Sequence, residues 1–184
     1  LVLFALLIGC ASTPAPEPGD WAAHRNTVAA LEHWGFSGRI AVSSAAGGDT
    51  ATLRWHQHRD DFTMTLSGPI GLKEATLLRE GGHLMLERDG VLRRLTPEDD
   101  VLDTEFGWRL PLNYLPWWLR GLPAPGPASP VLENGRLASL QQAGWYIEFA
   151  SYQSVDNTAL PRVIRFERAD VSGKILLKNW TLSP

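Results

Sequence analysis

Most of the chain alternates apolar and polar residues with a period of two. In TATLRWHQH, residues 50–58, alanine, leucine and tryptophan alternate with threonine, arginine and histidine, and FTMTL, residues 62–66, repeats the pattern. This alternation is typical of antiparallel strands that bury one face and expose the other. Turn signals such as Asp89-Gly90 and Asn134-Gly135 favour tight hairpins. The pattern therefore predicts a long antiparallel meander.

We expect further strands near residues 36–44, 72–78, 83–88, 91–95, 131–141, 144–152, 161–169 and 173–182. Additional turns are expected at residues 47–49 and 170–173, where glycine and aspartate cluster.

Two regions depart from this alternation and have helical spacing instead. Residues 20–34 place apolar side chains on one helical face, with Asp20 suited to the N-cap and Gly35 as a stop signal. In the middle of the chain, residues 96–108 carry helix-start signals, and a second short helix opens at Pro111. The apolar side chains of that second helix are Leu115, Trp118, Leu119 and Leu122.

A single curled sheet must cover its apolar face with another element. The two amphipathic segments in the middle, rich in leucine and tryptophan, are the expected cover. The enclosed interior is then either a filled core or a ligand cavity. The residues alone favour a filled core, because most such faces simply pack.

The first nine residues, LVLFALLIG, are uninterruptedly apolar but too short to span a bilayer. They are typical of the apolar region of a signal peptide whose basic start is not included here. Leu7 to Cys10 resembles a bacterial lipobox, and Cys10 is the only cysteine. We expect Cys10 to be acylated, and the proline-rich residues 11–19 to form an extended tether. The next residue is Ala11 rather than Asp, which by the sorting pattern of such lipoproteins implies the outer membrane.

No motif in the sequence indicates catalysis. The chain has no G-x-S-x-G, P-loop, G-x-G-x-x-G or C-x-x-C motif. His56 and His58 could begin a metal site, but no third ligand follows at a defined spacing, so a solvated sheet face is favoured. The net charge of −3 gives no broad basic face for nucleic acid. Binding or carriage is therefore favoured over catalysis.

Several motifs occur in a specific order along the chain. They are the stretch that ends at Cys10, Trp34 followed by GRIAV, the strand that ends in Trp55, GPIG at 68–71, FGWRLPLNYLPWWLRGLP at 106–123, GW at 144–145, YQSVDNTALP at 152–161 and LKNW at 177–180. Each is weak alone, but together they resemble the LolB family of outer-membrane lipoprotein receptors over nearly the whole chain.

The resemblance implies a mainly β fold with a helical insertion, namely a curled antiparallel sheet or incomplete β-barrel with an α-helical lid. It favours a cavity over a filled core. It also implies that the protein accepts lipoprotein acyl chains from the periplasmic carrier LolA and places them in the inner leaflet of the outer membrane, without a cofactor. We expect a monomer with residues 1–9 as signal peptide, 10–19 as lipidated tether and 20–184 as one lipid-binding domain.

The resemblance also implies roles for particular residues. The loop Pro69, Ile70, Gly71 and Leu72 would expose an aliphatic side chain that serves delivery into the membrane. Lid residues Leu115, Trp118 and Leu119 would face the cavity, and the sheet would line it with Phe36, Ile40, Leu53, Trp55, Phe62, Met64, Leu66, Trp145, Ile147 and Phe149.

Two other functions stay open. A scaffolding lipoprotein that binds another envelope protein through its sheet edge would share the lipobox and tether but need no cavity. An envelope enzyme that acts on lipid or peptidoglycan is the weaker alternative, because no catalytic constellation is visible.

Overall fold

The computed structural model describes residues 19–45, 47–68, 74–96 and 111–183. The predicted lipidation site at Cys10, the loop residues Pro69 to Leu72 and the predicted helix within residues 96–108 lie wholly or mostly outside these residues.

Eleven antiparallel strands form one open sheet, which confirms the predicted mainly β fold. The sheet order is β6-β5-β4-β3-β2-β1-β11-β10-β9-β8-β7, so β6 and β7 are its two edges. The strands are β1 His33–Ser44, β2 Gly47–His58, β3 Asp61–Ser67, β4 Glu74–Glu80, β5 His83–Arg88, β6 Val91–Arg94, β7 Ala128–Glu133, β8 Arg136–Gln142, β9 Trp145–Val155, β10 Thr158–Arg168 and β11 Val171–Ser183.

The two ends of the chain meet in the middle of the sheet. Strand β1 pairs with β2 on one side and with β11 on the other, so that His33 lies opposite both His58 and Ser183. Every other pair joins strands that follow one another in sequence. The chain between β6 and β7 therefore connects the two free edges, and it carries the predicted lid.

Helix α1, Trp21–Ala29, starts where the sequence predicts and ends earlier. The Asp20 carboxylate accepts hydrogen bonds from the next backbone N–H groups at 2.8 and 3.1 Å, which confirms it as the N-cap. The predicted end at Gly35 is wrong, because Trp34 and Gly35 already belong to β1.

Distant aromatic contacts explain this difference. The Trp34 indole stacks on Trp55, with ring centroids 6.1 Å apart and planes 6° from parallel, and it contacts Trp180 at 5.7 Å. Burial against two strands outweighs the local helical spacing, because intrinsic helix propensity is a weak preference.

Helix α2, Leu115–Leu119, is the short helix predicted in the middle of the chain. Pro116 lies in its first turn, where its missing N–H breaks no helical hydrogen bond. Leu115, Trp118, Leu119 and Leu122 are all buried, as the pattern predicts. None of the helices in the described residues is long and apolar enough to cross a membrane.

The predicted hairpin turns are partly confirmed. Asp89-Gly90 and Asn134-Gly135 form turns with positive φ at each residue, so the predicted strand 131–141 is in fact the end of β7, a turn and β8. The turns predicted at 47–49 and 170–173 are displaced, since Gly47 begins β2 and Gly173 lies within β11. Gly173 is needed there, because a Cβ would collide with the Phe166 ring and the backbone oxygen of Ala41.

Candidate functional site

The residues predicted to line a cavity all lie in one buried cluster between the sheet and α2. None of them is more than 5% exposed, and all belong to the same core. Alternation along the strands explains the sheet side, because every second side chain of β1, β2, β3 and β9 points to the covered face. The structure therefore brings the predicted residues of sheet and lid together.

Among the described residues, the sheet and α2 pack into a nearly filled core. A void of about 10 Å³, the space of about one water molecule, lies between α2 and the sheet. Leu115 and Leu119 of the lid close it on one side. Its other lining residues are Ile40, Leu53, Trp55, Met64, Leu66 and Ile175.

Three further residues of this interior were not predicted. Ile175 of β11 lines the void, and Trp34 and Trp180 extend the aromatic cluster beside Trp55 and Phe36. The alternation in KILLKNW, residues 174–180, could have indicated Ile175. Trp34 was missed because its helical spacing placed it in the wrong element.

Gln142 connects the lid to the sheet inside the core. Its Oε1 accepts hydrogen bonds from Trp118 Nε1 at 2.9 Å and from the backbone N–H of Ala124 at 3.0 Å. Its Nε2 donates to the Ala124 carbonyl at 2.7 Å. Gln142 is only 4% exposed. Nothing in the sequence distinguishes it from its neighbour Gln141, which is exposed.

Arg120 joins the end of the lid to the end of α1. Its Nε donates to the Pro116 carbonyl at 3.0 Å, and its Nη1 donates to the carbonyls of Val28 and Leu31, each at 3.1 Å. The guanidinium also lies over the Trp34 and Trp117 rings, at 5.5 and 5.2 Å from their centroids. These contacts replace water around a side chain that is 7% exposed.

The electrostatics of this contact follow from burial. Desolvation lowers the pKa of Arg120 to about 10, so that the side chain stays protonated at neutral pH. Its positive charge faces carbonyl groups at the C-terminal end of α1, where the helix dipole favours a cation. Arg120 thus holds the lid's C-terminal end against α1.

The other candidate chemistry lies outside this interior. His56 and His58 are on the exposed face of β2, as predicted, and the His58 ring contacts the His33 ring at 4.4 Å. Within the described parts of the chain, no group of three histidine, cysteine, aspartate or glutamate side chains could hold a metal ion.

Comparison with known sequences identifies close relatives. The family model described as "Outer membrane lipoprotein LolB" matches residues 32–180. The chain is 35% identical over 189 residues to the "Outer-membrane lipoprotein LolB" of Pseudomonas savastanoi pv. phaseolicola, which covers 97% of this chain and 92% of that protein. The protein of the same name from Pseudomonas fluorescens is 35% identical over 187 residues, covering 96% of this chain and 91% of the relative.

Solved structures with similar folds have little sequence identity to the chain. A DUF1329 family protein from Desulfovibrio piger aligns with a TM-score of 0.60 at 10% identity, covering 89% of this chain and 90% of that one. A LolA superfamily protein from Nitrosomonas europaea aligns with a TM-score of 0.55 at 10% identity, covering 84% and 88%. At such identities the likeness concerns the fold alone, and it agrees with the open, lid-covered sheet.

Proposed function

Because the chain belongs to the outer membrane lipoprotein LolB family, we propose that it accepts acylated lipoproteins from the periplasmic carrier LolA and inserts them into the inner leaflet of the outer membrane. The protein is an outer-membrane lipoprotein with a role in lipoprotein localisation. The finer steps of acceptance and delivery are the proposal, and the site described above supports them.

One observation carries the proposal. Within the described parts of the chain, a sheet face lined almost entirely by hydrocarbon is covered by the five-residue helix α2. Withdrawing three lid side chains from this face costs about 5–9 kcal/mol, at about 1.5–3 kcal/mol for each large apolar side chain. An acyl chain of about 15 carbons gains about 12 kcal/mol when it leaves water, at about 0.8 kcal/mol per CH₂. Relative to an acyl chain in water, replacement of the lid by the chain is therefore favourable.

The lid can move without disturbing the sheet. Helix α2 lies in the connection between the two edge strands and contributes no strand to the ladder. Among the described residues, the polar attachments of α2 and its flanking residues to the rest of the fold include Trp118 to Gln142, Arg120 to α1 and Asn113 to Arg79 of β4. We propose that α2 swings away from β8 and opens the filled core into a cavity lined by the predicted residues.

Transfer needs no nucleotide in this scheme, because each acceptor binds the chains more tightly than the donor. The receptor need bind only about 1.4 kcal/mol more tightly than the carrier to give a tenfold bias. The membrane takes up all the acyl chains and is the final acceptor. A hydrocarbon-lined cavity with few hydrogen bonds suits cargo proteins of many sequences.

Acylation of Cys10 and membrane entry of Ile70 complete the proposal. Pro69 to Leu72 connect β3 and β4 at one end of the strands, whereas Gly19 contacts Asn134 at the other end. A tether from Cys10 to Gly19 spans about 28 Å at about 3.1 Å per residue. Strand β1 alone has 12 residues and is about 40 Å long. The acyl chains on Cys10 and the side chain of Ile70 can reach the same membrane if the strands lie inclined to the membrane surface.

The experiment mixes this protein without residues 1–10 with purified carrier loaded with a lipoprotein, in the absence of nucleotide. All described elements lie within residues 19–183, so this variant keeps the whole sheet. Transfer of the lipoprotein from the carrier to this protein is the expected result. A well-folded protein that takes up no cargo would contradict the proposal.

A scaffolding role is the second candidate, and the sheet edges favour it. Val91 and Leu92 of β6 are 67% and 58% exposed, and Val131 and Leu132 of β7 are 57% and 44% exposed. Edge strands with exposed apolar side chains can pair with another chain. This role predicts that charged substitutions at Val91 and Val131 abolish partner binding, whereas lid substitutions have no effect.

A further inference from the structure

The hairpin between β8 and β9 places two polar side chains in the apolar interior. Gln142 and Trp145 lie directly opposite each other across the Ala143-Gly144 turn. Their side chains are 4% and 3% exposed. Opposite residues of an antiparallel pair have Cβ atoms about 5 Å apart. The two polar groups are therefore close neighbours on the face that the lid covers.

The indole N–H of Trp145 is buried and has no hydrogen-bond partner among the described residues. Buried polar groups are nearly always paired, so such a group requires an explanation. The Trp145 ring packs against Trp118 of the lid at 6.5 Å and against Phe166 at 5.8 Å, and the Arg168 guanidinium lies 5.8 Å from its centroid. One of its covering rings therefore belongs to the lid.

Departure of the lid would change both polar groups at once. Gln142 Oε1 would lose the Trp118 donor and keep only the Ala124 N–H, which leaves one accepting position vacant. The Trp145 ring would lose its contact with the Trp118 ring. The opened interior would then offer one acceptor and one donor on two cross-strand neighbours, in surroundings that otherwise offer hydrocarbon.

We propose that Gln142 and Trp145 form a subsite for the amide of an N-acylated cysteine, with Trp145 donating to the carbonyl and Gln142 accepting from the N–H. This inference rests on the proposed function, since it assigns the polar part of the same acylated cargo. The amide of an N-acylated cysteine is planar and trans, so its C=O and N–H point to opposite sides, and it can bind both side chains when it lies between them. A subsite for the amide determines the orientation of the cargo, because the acyl chains and the polypeptide extend from the amide in opposite directions.

The surroundings of the hairpin agree with this direction. On its outer side lies an open recess of about 870 Å³, whose lining includes both of these residues together with polar residues of β7, β8, β10 and the turns beside them. The lining includes Ser129, Gln141, Gln142, Trp145, Glu167, Arg168 and Asp170. Acyl chains that start at the amide would extend inward towards Leu66 and Leu119, and the cargo polypeptide would leave through the recess.

The second buried indole without a partner has different surroundings. Trp34 Nε1 also lacks a hydrogen bond among the described residues. Its ring is enclosed by Trp55, Trp180 and the Arg120 guanidinium. Its cross-strand neighbour in β2, Gln57, accepts from Trp55 instead. Trp34 is therefore a matched control with the same chemistry at the other end of the strands.

The experiment measures binding to the protein without residues 1–10. The ligands are N-hexadecanoyl-cysteine amide, which carries the amide, and hexadecanol, which has the same chain length without it. Trp145→Phe keeps an aromatic ring but removes the N–H together with part of the indole, a loss of volume that both ligands share. It should weaken binding of the amide ligand about tenfold more than binding of hexadecanol. Trp34→Phe should leave the ratio of the two affinities unchanged.

A second measurement uses the unsubstituted protein, so the result does not depend on how a variant folds. The indole proton of Trp145 should shift further downfield in the NMR spectrum on addition of the amide ligand than on addition of hexadecanol. Equal weakening of both ligands by Trp145→Phe, or the same indole shift in both saturated complexes, overturns the subsite while the proposed function stands. Failure of the unsubstituted protein to bind either ligand overturns both.

Discussion

The indole nitrogen of Trp118 donates a hydrogen bond of 2.9 Å to Oε1 of Gln142, and this contact ties helix α2 to β8 within the core. The same oxygen also accepts from Ala124, which lies in the connection that follows the lid. Gln142 thus holds both the lid and its connection to β7. The strength of these hydrogen bonds, together with those from Arg120 to α1, determines how easily the core opens.

Trp118→Phe should make the lid easier to open. The variant keeps an aromatic ring but loses part of the buried indole and the hydrogen bond, whose net contribution is about 1 kcal/mol. We expect the free energy of unfolding to fall by at least about that amount in urea denaturation. A fluorescent apolar probe should bind about fivefold more tightly, because less work is needed to displace the lid.

Trp118→Glu, at the same position, should have the opposite effect on binding. A carboxylate on the inner side of the lid is costly to bury against hydrocarbon, so the closed cavity around an acyl chain is destabilised. We expect this variant to bind the same probe at least about tenfold more weakly than Trp118→Phe. Unchanged cargo transfer from the carrier in Trp118→Glu would show that α2 is not the lid of the binding site.

Arg120 is predicted to be a major contributor to stability. Arg120→Ala leaves the Val28 and Leu31 carbonyls without these buried donors, and we expect a loss of about 2–4 kcal/mol in the free energy of unfolding. Arg120→Lys keeps the charge but not the planar group that reaches Pro116 and lies over two indoles. The lysine variant should lose about half as much. Equal losses in both variants would mean that the charge contributes nothing.

Stability should decrease as the pH falls below neutral, and His24 should contribute to the decrease. Burial, with a smaller contribution from Arg136, lowers the pKa of His24 below its usual value of 6.5. The unfolded chain therefore binds a proton at higher pH than the folded protein. The stabilisation is fully present above pH 6.5 and is lost as the pH falls through the lowered pKa. Chemical denaturation of His24→Gln between pH 7 and 5 should show a smaller decrease in the free energy of unfolding per pH unit than the unsubstituted protein. An unchanged decrease would contradict the assignment to His24.

Ile70 should serve delivery and not acceptance. The loop that contains it leaves the sheet between Ser67 and Glu74, whose side chains are joined by a hydrogen bond of 2.8 Å. A carboxylate cannot enter the membrane interface as an aliphatic group does. Ile70→Glu should accept cargo from the carrier normally and release it into vesicles at least about tenfold more slowly. Ile70→Leu is the control and should behave as the unsubstituted protein. Failure at the acceptance step would instead place the loop at the cavity.

The fold was largely predictable from local patterns, and the exceptions have physical causes. Alternation in β2 and β3 and the Asp89-Gly90 turn depend on neighbouring residues, so the sequence displays them directly. Trp34 was misplaced because its partner Trp180 is far away in sequence, and local spacing does not reveal such contacts. Gln142 was missed because a buried glutamine has the same appearance in a sequence as an exposed one.

The state of the interior could not be predicted from residue types. A leucine that lines a cavity and a leucine that fills a core have the same pattern of neighbours. Leu115 and Leu119 were correctly placed on the sheet side of the lid, and the structure adds that they fill the interior between them and Leu66. The volume between sheet and lid depends on their distance, which no local pattern specifies.

The central claim is that an acyl chain replaces the lid in the core, and cross-linking tests it most directly. Lipoprotein cargo with a photoreactive diazirine in one acyl chain would be delivered by the carrier to the protein without residues 1–10, irradiated, and mapped by mass spectrometry. The account predicts cross-links to the sheet face that the lid covers, at Leu53, Leu66 and Ile175. Cross-links confined to the exposed edge residues Val91 and Val131 would contradict it.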